Sequence, residues 1–221
     1  MRPRELDWWV AALFLVGSFL FAAGSFPPYA QLVDARVVGV TFFVGSVFFT
    51  SAAYSQFVQV INTRGDSESR PRIRLVAWQP QRVLWWATLV QFAGTLFFNR
   101  STADALLQNL STEQVNRLVW APDVFGSIAF LIASHLAWLS VRGRPWHVRR
   151  DDPDWWGAIL NYIGSIFFML SAIASVTLPT TGEVLNLTLV NSGTFLGAVC
   201  FFGGACLLLP AAPSRTRSAV E

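Results

Sequence analysis

Apolar residues run through this chain in six long stretches that charge scarcely interrupts. None lies between Asp7 and Asp34, or between Arg36 and Arg64, so helices are predicted over 8–26 and 37–61. Further spans are predicted at 83–98, 119–141, 155–178 and 185–209, since about 20 mainly apolar residues cross the hydrocarbon core as a helix. The 83–98 stretch, closed in by Arg82 and Arg100, is short for a bilayer and is expected to recruit flanking residues or sit where the bilayer thins. Buried helices of soluble bundles rarely lack charge on every face for so long, which argues against a soluble fold. The expected fold class is therefore all-α: a single polytopic domain of six transmembrane helices, followed by a flexible cytoplasmic tail at 211–221.

Composition agrees. Of 221 residues, 53% are hydrophobic and 13% charged, about half the charge usual in soluble domains. A cleaved signal peptide is a rival reading of the first span, because a basic start precedes it and FAAGSF offers small residues. The repetition described below argues against that, since a disposable segment has no reason to share its phrasing with a later span. All 16 basic residues are arginine, which points to a GC-rich, bacterial genome. Cys200 and Cys206 lie about 240° apart around one helix and so cannot pair with each other.

Arginine also sets the predicted orientation, because positive residues stay on the cytoplasmic side. Thirteen of the sixteen (Arg2, Arg4, Arg64, Arg70, Arg72, Arg74, Arg82, Arg142, Arg144, Arg149, Arg150, Arg215 and Arg217) fall on one side of a six-span topology. Arg36, Arg100 and Arg117 fall on the other. Both termini are thus expected in the cytoplasm, in a bacterial inner membrane. The net charge of +3 needs no nucleic acid to explain it. Two loops carry patterns of their own. Residues 101–110 place Ala103, Leu106, Leu107 and Leu110 at helical spacing, predicting a short surface helix, with Ser111 and Gln114 as a capping box after it. Residues 72–78, RIRLVAW, alternate basic and apolar side chains as a segment resting at the interface would.

One phrase recurs. DWWVAALFLVGSFLF at 7–21 returns as DWWGAILNYIGSIFF at 154–168, with a weaker copy from Trp85. The pairs Trp8-Trp9, Trp85-Trp86 and Trp155-Trp156 each stand eight positions ahead of a small pair, Gly17-Ser18, Gly94-Thr95 and Gly164-Ser165. The even spans carry Gly45-Ser46, Gly126-Ser127 and Gly193-Thr194 without the tryptophans. Tryptophan favours the headgroup region, so the pairs read as interface anchors. The glycines, roughly 12 Å deeper, read as helix-packing points where backbones approach closely. Three tandem hairpins, all inserted the same way, are predicted. Inverted halves, a hallmark of many carriers, are not.

The phrases FLVGSFLF, FFVGSVFF, FGSIAFLIAS and YIGSIFF resemble the YrhK-like family of small bacterial membrane proteins. The resemblance implies a short set of hydrophobic helices. That family has no established activity, so no catalytic residue carries over.

Polar groups at membrane depth are costly and are the natural functional candidates. His135, Asn161 and Tyr54 fall at similar depth, about 10 Å from the inner ends of their helices, and could form a polar inner-half layer. Asp123, Gln91 and Asn191 complete the intramembrane polar set; the last two are also explained as helix-to-helix hydrogen bonding, and Asp123 as an interfacial carboxylate in the first turn of its helix, favoured by the helix dipole and water. Pro122 is expected to bend the helix beside Asp123. No HExxH, CxxC, phosphate loop or nucleophile elbow is present, and loops of about 10 to 20 residues leave no room for a soluble catalytic domain. With two histidines in total, one of them His147 in a loop, haem held by two intramembrane histidines is not available. The expectation is a non-enzyme without metal or cofactor: a structural or interaction component surrounded by the lipid bilayer, with a homo-oligomer or membrane-protein partner. A small-solute channel or carrier built around His135 is the alternative, and an aromatic lipid-binding role, drawn from the 19 Phe and 10 Trp, a third reading.

Overall fold

The computed structural model describes residues 3–63, 73–141 and 151–209, with side chains from Leu6 onward. Most of the arginines used to orient the chain, His147 and the tail at 211–221 lie outside the described residues.

Helix α1 (Pro3–Ser25) is followed by the single turn α2 (Pro27–Leu32), then α3 (Ala35–Asn62), α4 (Val83–Asp104), the short α5 (Thr112–Val115), α6 (Ala121–Val141), α7 (Pro153–Ala174) and α8 (Leu187–Leu207). A π-helical turn, Asn116–Trp120, joins α5 to α6. Among the described residues, five spans are long and apolar enough to cross a membrane: Leu6–Ser25, Ala35–Asn62, Thr112–Val141, Pro153–Ala174 and Leu187–Leu207. Helix α4 matches them at 22 residues, but Thr88, Gln91, Thr95 and Asn99 dilute its apolarity. Among the described residues there is no strand, only an isolated bridge between Thr177 and Val184. The protein is an all-α, polytopic membrane bundle.

Two expectations change in detail. Residues 101–104 form no separate surface helix. They extend α4, where Arg100 pairs with Asp104 one turn on at 2.5 Å and the Ser101 hydroxyl donates to the Val119 carbonyl at 2.8 Å. Helix α7 stops at Ala174 rather than 178, because 175–186 turns back on itself through the Thr177–Val184 bridge. Pro122 follows the π turn directly after its cap, Ala121. Its missing N–H falls just after the π turn, where the Ala121 N–H bonds Asn116 five residues back. The capping box at Ser111 and Gln114 is present as predicted.

The long helices form a closed ring. Each packs on its neighbours in sequence, α1 on α3, α3 on α4, α4 on α6, α6 on α7 and α7 on α8, and α8 returns to α1. Contact is densest within the hairpins α1/α3, α4/α6 and α7/α8. Inside each hairpin two glycines face each other. A Cβ on Gly17 would lie 3.1 Å from the Gly45 carbonyl oxygen, one on Gly94 3.2 Å from that of Gly126, and one on Gly164 3.0 Å from that of Gly197. Such proximity is what small residues permit where lipid supplies no hydrophobic drive.

The sixth helix thus corrects the predicted register. Gly193 does pack closely, with a Cβ there 2.9 Å from the Phe167 carbonyl, but the partner of Gly164 is Gly197, one turn further along. With that shift every long helix carries the same pattern. A glycine is followed four residues later by phenylalanine, giving Phe21, Phe49, Phe98, Phe130, Phe168 and Phe201, and seven and eight residues later by small side chains. All six phenylalanines are buried.

Candidate functional site

Helices closed in a ring leave an axis to fill, and the six phenylalanines fill it. Those from the even-numbered spans form a triangle, with ring centroids 6.4 Å apart for Phe49 and Phe130, 6.0 Å for Phe49 and Phe201, and 5.6 Å for Phe130 and Phe201. Those from the odd-numbered spans form a second set, with Phe168 standing 6.0 Å from Phe21 and 6.1 Å from Phe98. Because hairpin helices run antiparallel, Phe21 is level with Gly45 and Phe49 with Gly17, so the two sets stack roughly 6 Å apart along the axis. Within each hairpin the rings also meet, at 5.2 Å, 5.1 Å and 5.2 Å. Most of these are edge-to-face or tilted contacts, the arrangement the ring quadrupoles favour.

Five of the six core glycines are followed by a hydroxyl, and two of these bond across the seams between hairpins. Ser46 meets Thr102 of α4 at 3.0 Å, and Ser165 meets Ser134 of α6 at 2.8 Å. Ser18 and Ser127 are equally buried, yet their hydroxyls have no hydrogen-bond partner among the described residues. The repeat explains this, since the residues in register with Thr102 and Ser134 are Ala205 opposite Ser18 and Ala172 opposite Ser127.

The proposed polar layer is not assembled. Tyr54 faces the α3/α4 seam, with its ring 5.5 Å from Phe92 and its hydroxyl donating to the Leu75 carbonyl at 3.4 Å. His135 is exposed at the α6/α7 seam, its ring 5.7 Å from Tyr162 and 5.9 Å from Trp138. Asn161 packs over Gly204 of α8, where a Cβ would come within 2.8 Å of its Oδ1, while its backbone carbonyl accepts from Ser134 at 3.3 Å. The depths inferred from sequence are consistent, because Tyr54 and His135 both stand nine residues beyond their helix's glycine. Their directions differ: repeat-equivalent positions are turned around a solid core, so equal depth brings no contact.

Gln91 and Asn191 are half-buried on α4 and α8, which are not neighbours in the ring, and Asp123 is half-buried in the first turn of α6. No polar route joins them to His135 among the described residues. The tryptophan pairs repeat closely, with centroids 4.8, 4.8 and 4.9 Å apart and rings nearly perpendicular. Trp85 and Trp155 turn inward, whereas Trp8 is 47% exposed.

Side-chain amides do work at both ends that their isolated positions in sequence did not signal. Asn116 bonds both backbone groups of Thr177, donating to its carbonyl at 2.7 Å and accepting from its N–H at 2.9 Å, so the second and third hairpins are fastened there. Trp120 adds a bond to the Ala172 carbonyl at 3.0 Å. At the other end Gln59 of α3 bonds Asp7 of α1. Beside Asn116, an open depression of about 730 Å³ is lined by Ser111, Thr112, Glu113, Arg117 and Pro179. No three histidine, cysteine, aspartate or glutamate side chains gather as metal ligands among the described residues.

The fold and its centre therefore define a class: a closed, six-membered membrane bundle of three like hairpins around a phenylalanine core. No family model, curated protein or solved structure matches the chain.

Proposed function

We propose that this protein is a structural or interaction component of a membrane, working through its outer surface and connecting segments rather than through its axis. The observation that carries this reading is the double layer of phenylalanines across the centre of the ring. A channel or carrier needs a wet route or a central site, and the buried aromatic rings stand where either would run. The carrier reading rested on convergence of His135, Asn161 and Tyr54, and their separate seams remove its support. Absence of a catalytic constellation in the sequence favours a non-enzyme.

The excess of arginine in alternate loops supports placement with both termini in the cytoplasm, crossing the membrane six times. An arginine-only basic set supports a bacterial inner membrane, and the recurrent Gly-Ser-Phe phrases support kinship with the YrhK-like family. Homo-oligomers or another membrane protein are the partners such a component would hold. The experiment is a flux assay in proteoliposomes across ion and pH gradients. This reading expects leakage equal to protein-free liposomes. A flux that His135→Ala abolishes would reinstate the carrier.

A further inference from the structure

The segment between α3 and α4 has properties an aqueous loop would not need. Residues 73–78 form no helix, yet Ile73, Leu75, Val76 and Trp78 are 55%, 62%, 77% and 75% exposed. Nothing in the described structure covers this comb of large apolar side chains.

Its backbone is nonetheless held at many points by side chains of the helices. Asn62, the last residue of α3, brackets Arg74, donating to its carbonyl at 2.7 Å and accepting from its N–H at 2.9 Å. The Tyr54 hydroxyl reaches the Leu75 carbonyl at 3.4 Å, and the Trp85 indole N–H donates to the Ala77 carbonyl at 2.8 Å. Tyr54 stands eight residues before Asn62, roughly 12 Å further along the helix axis. After Arg74 the chain is therefore held alongside the last turns of α3, on the bilayer side of Asn62, instead of leading away from it. It climbs again at Gln79 and Arg82, whose side chains donate to the Ile61 carbonyl at 3.0 Å and the Val60 carbonyl at 2.8 Å and so cap the end of α3. Trp86 fastens the return by donating to the Pro80 carbonyl at 2.9 Å.

We propose that residues 73–78 are a re-entrant element seated in the boundary between headgroups and acyl chains of the leaflet on the tryptophan-pair side. Irregular backbone is tolerated at that depth where protein satisfies its polar groups, and Asn62 does so for both groups of Arg74, Tyr54 and Trp85 for the carbonyls of Leu75 and Ala77. Water would have served an ordinary loop. The occupant is phospholipid: the apolar comb enters the acyl region, Trp78 takes the interfacial position its ring favours, and exposed Arg74 lies at the level of the phosphates. This placement does not depend on the structural role proposed above.

The test uses the full chain with Cys200 and Cys206 replaced by alanine, a fluorophore on Val76→Cys, and reconstitution in phospholipid nanodiscs. Val199→Cys, on the outward face of α8, is the lipid reference, and Glu183→Cys, in the α7–α8 connection, the water reference. Lipids brominated near the headgroup are expected to remove most of the Val76→Cys signal, with iodide leaving it as it leaves Val199→Cys. Quenching by iodide to the level of Glu183→Cys would overturn the proposal. So would protection from both quenchers, or disulfide-linked dimers on oxidation, either of which would place protein on this face.

Discussion

Gly164 and Gly197 face each other so closely that a Cβ on either would lie 3.0 Å from the other's carbonyl oxygen, and one on Gly197 would lie 2.6 Å from the Phe168 ring. The contact fixes both the approach of α7 to α8 and the position of a core ring. Gly197→Ala must displace Phe168 and is expected to cost about 1–3 kcal/mol, as overpacking does elsewhere. Unfolding of the reconstituted protein in increasing SDS measures it. Gly182, in the α7–α8 turn with open space around it, serves as the control for substitution, although its φ of 72° requires a match such as asparagine.

Phe130 touches Phe49, Phe98 and Phe201, so it belongs to the even-span triangle and to its own hairpin pair at once. Phe130→Ala should lower stability by about 3 kcal/mol or more, the usual cost of emptying a packed aromatic site. Phe125, 56% exposed on the same helix, should tolerate alanine with little change. Equal effects at the two positions would contradict a filled axis.

Seam hydroxyls give a prediction of opposite sign. Ser127 is buried without a partner, and the repeat places Ala172 where Ser134 serves Ser165. Ala172→Ser should supply the missing bond and stabilise by about 0.6 kcal/mol, the average found for hydrogen bonds between membrane helices. Ser134→Ala should lose a similar amount. Thermal unfolding in detergent distinguishes the two directions.

Asn116 replaced by leucine keeps volume but loses both bonds to Thr177. Two unsatisfied backbone groups on buried Thr177 predict a loss of about 1–3 kcal/mol. Faster amide exchange confined to 175–186, with α4 unchanged, is the accompanying signature.

Much of this was written in the sequence. The apolar stretches yielded all six long helices, and the tryptophan and Gly-Ser phrases yielded three like hairpins, because anchoring and close backbone approach are local demands on particular residues. Gly193 misled the register of α8, since Gly193-Thr194 copies the small pair while Gly197-Ala198 occupies the contact. The spacing from glycine to phenylalanine, four residues in every long helix, was the better signal. Depth along a helix could be counted, which is why His135, Tyr54 and Asn161 were grouped. Direction around the bundle could not, because it depends on which neighbour each face meets. The bonds of Asn62 and Asn116 to distant backbone leave no periodic trace at all.

Ring closure is the claim on which the filled axis depends, and α1 meets α8 without any chain connection between them. Phe26 and Phe195 stand 5.8 Å apart across that junction. Phe26→Cys with Phe195→Cys, in a chain lacking its own two cysteines, should be joined within one molecule by a short bismaleimide in native membranes, as Ser134→Cys with Ser165→Cys should be across the α6/α7 seam. Absence of the first cross-link where the second forms would mean an open row of helices, and the account would fail.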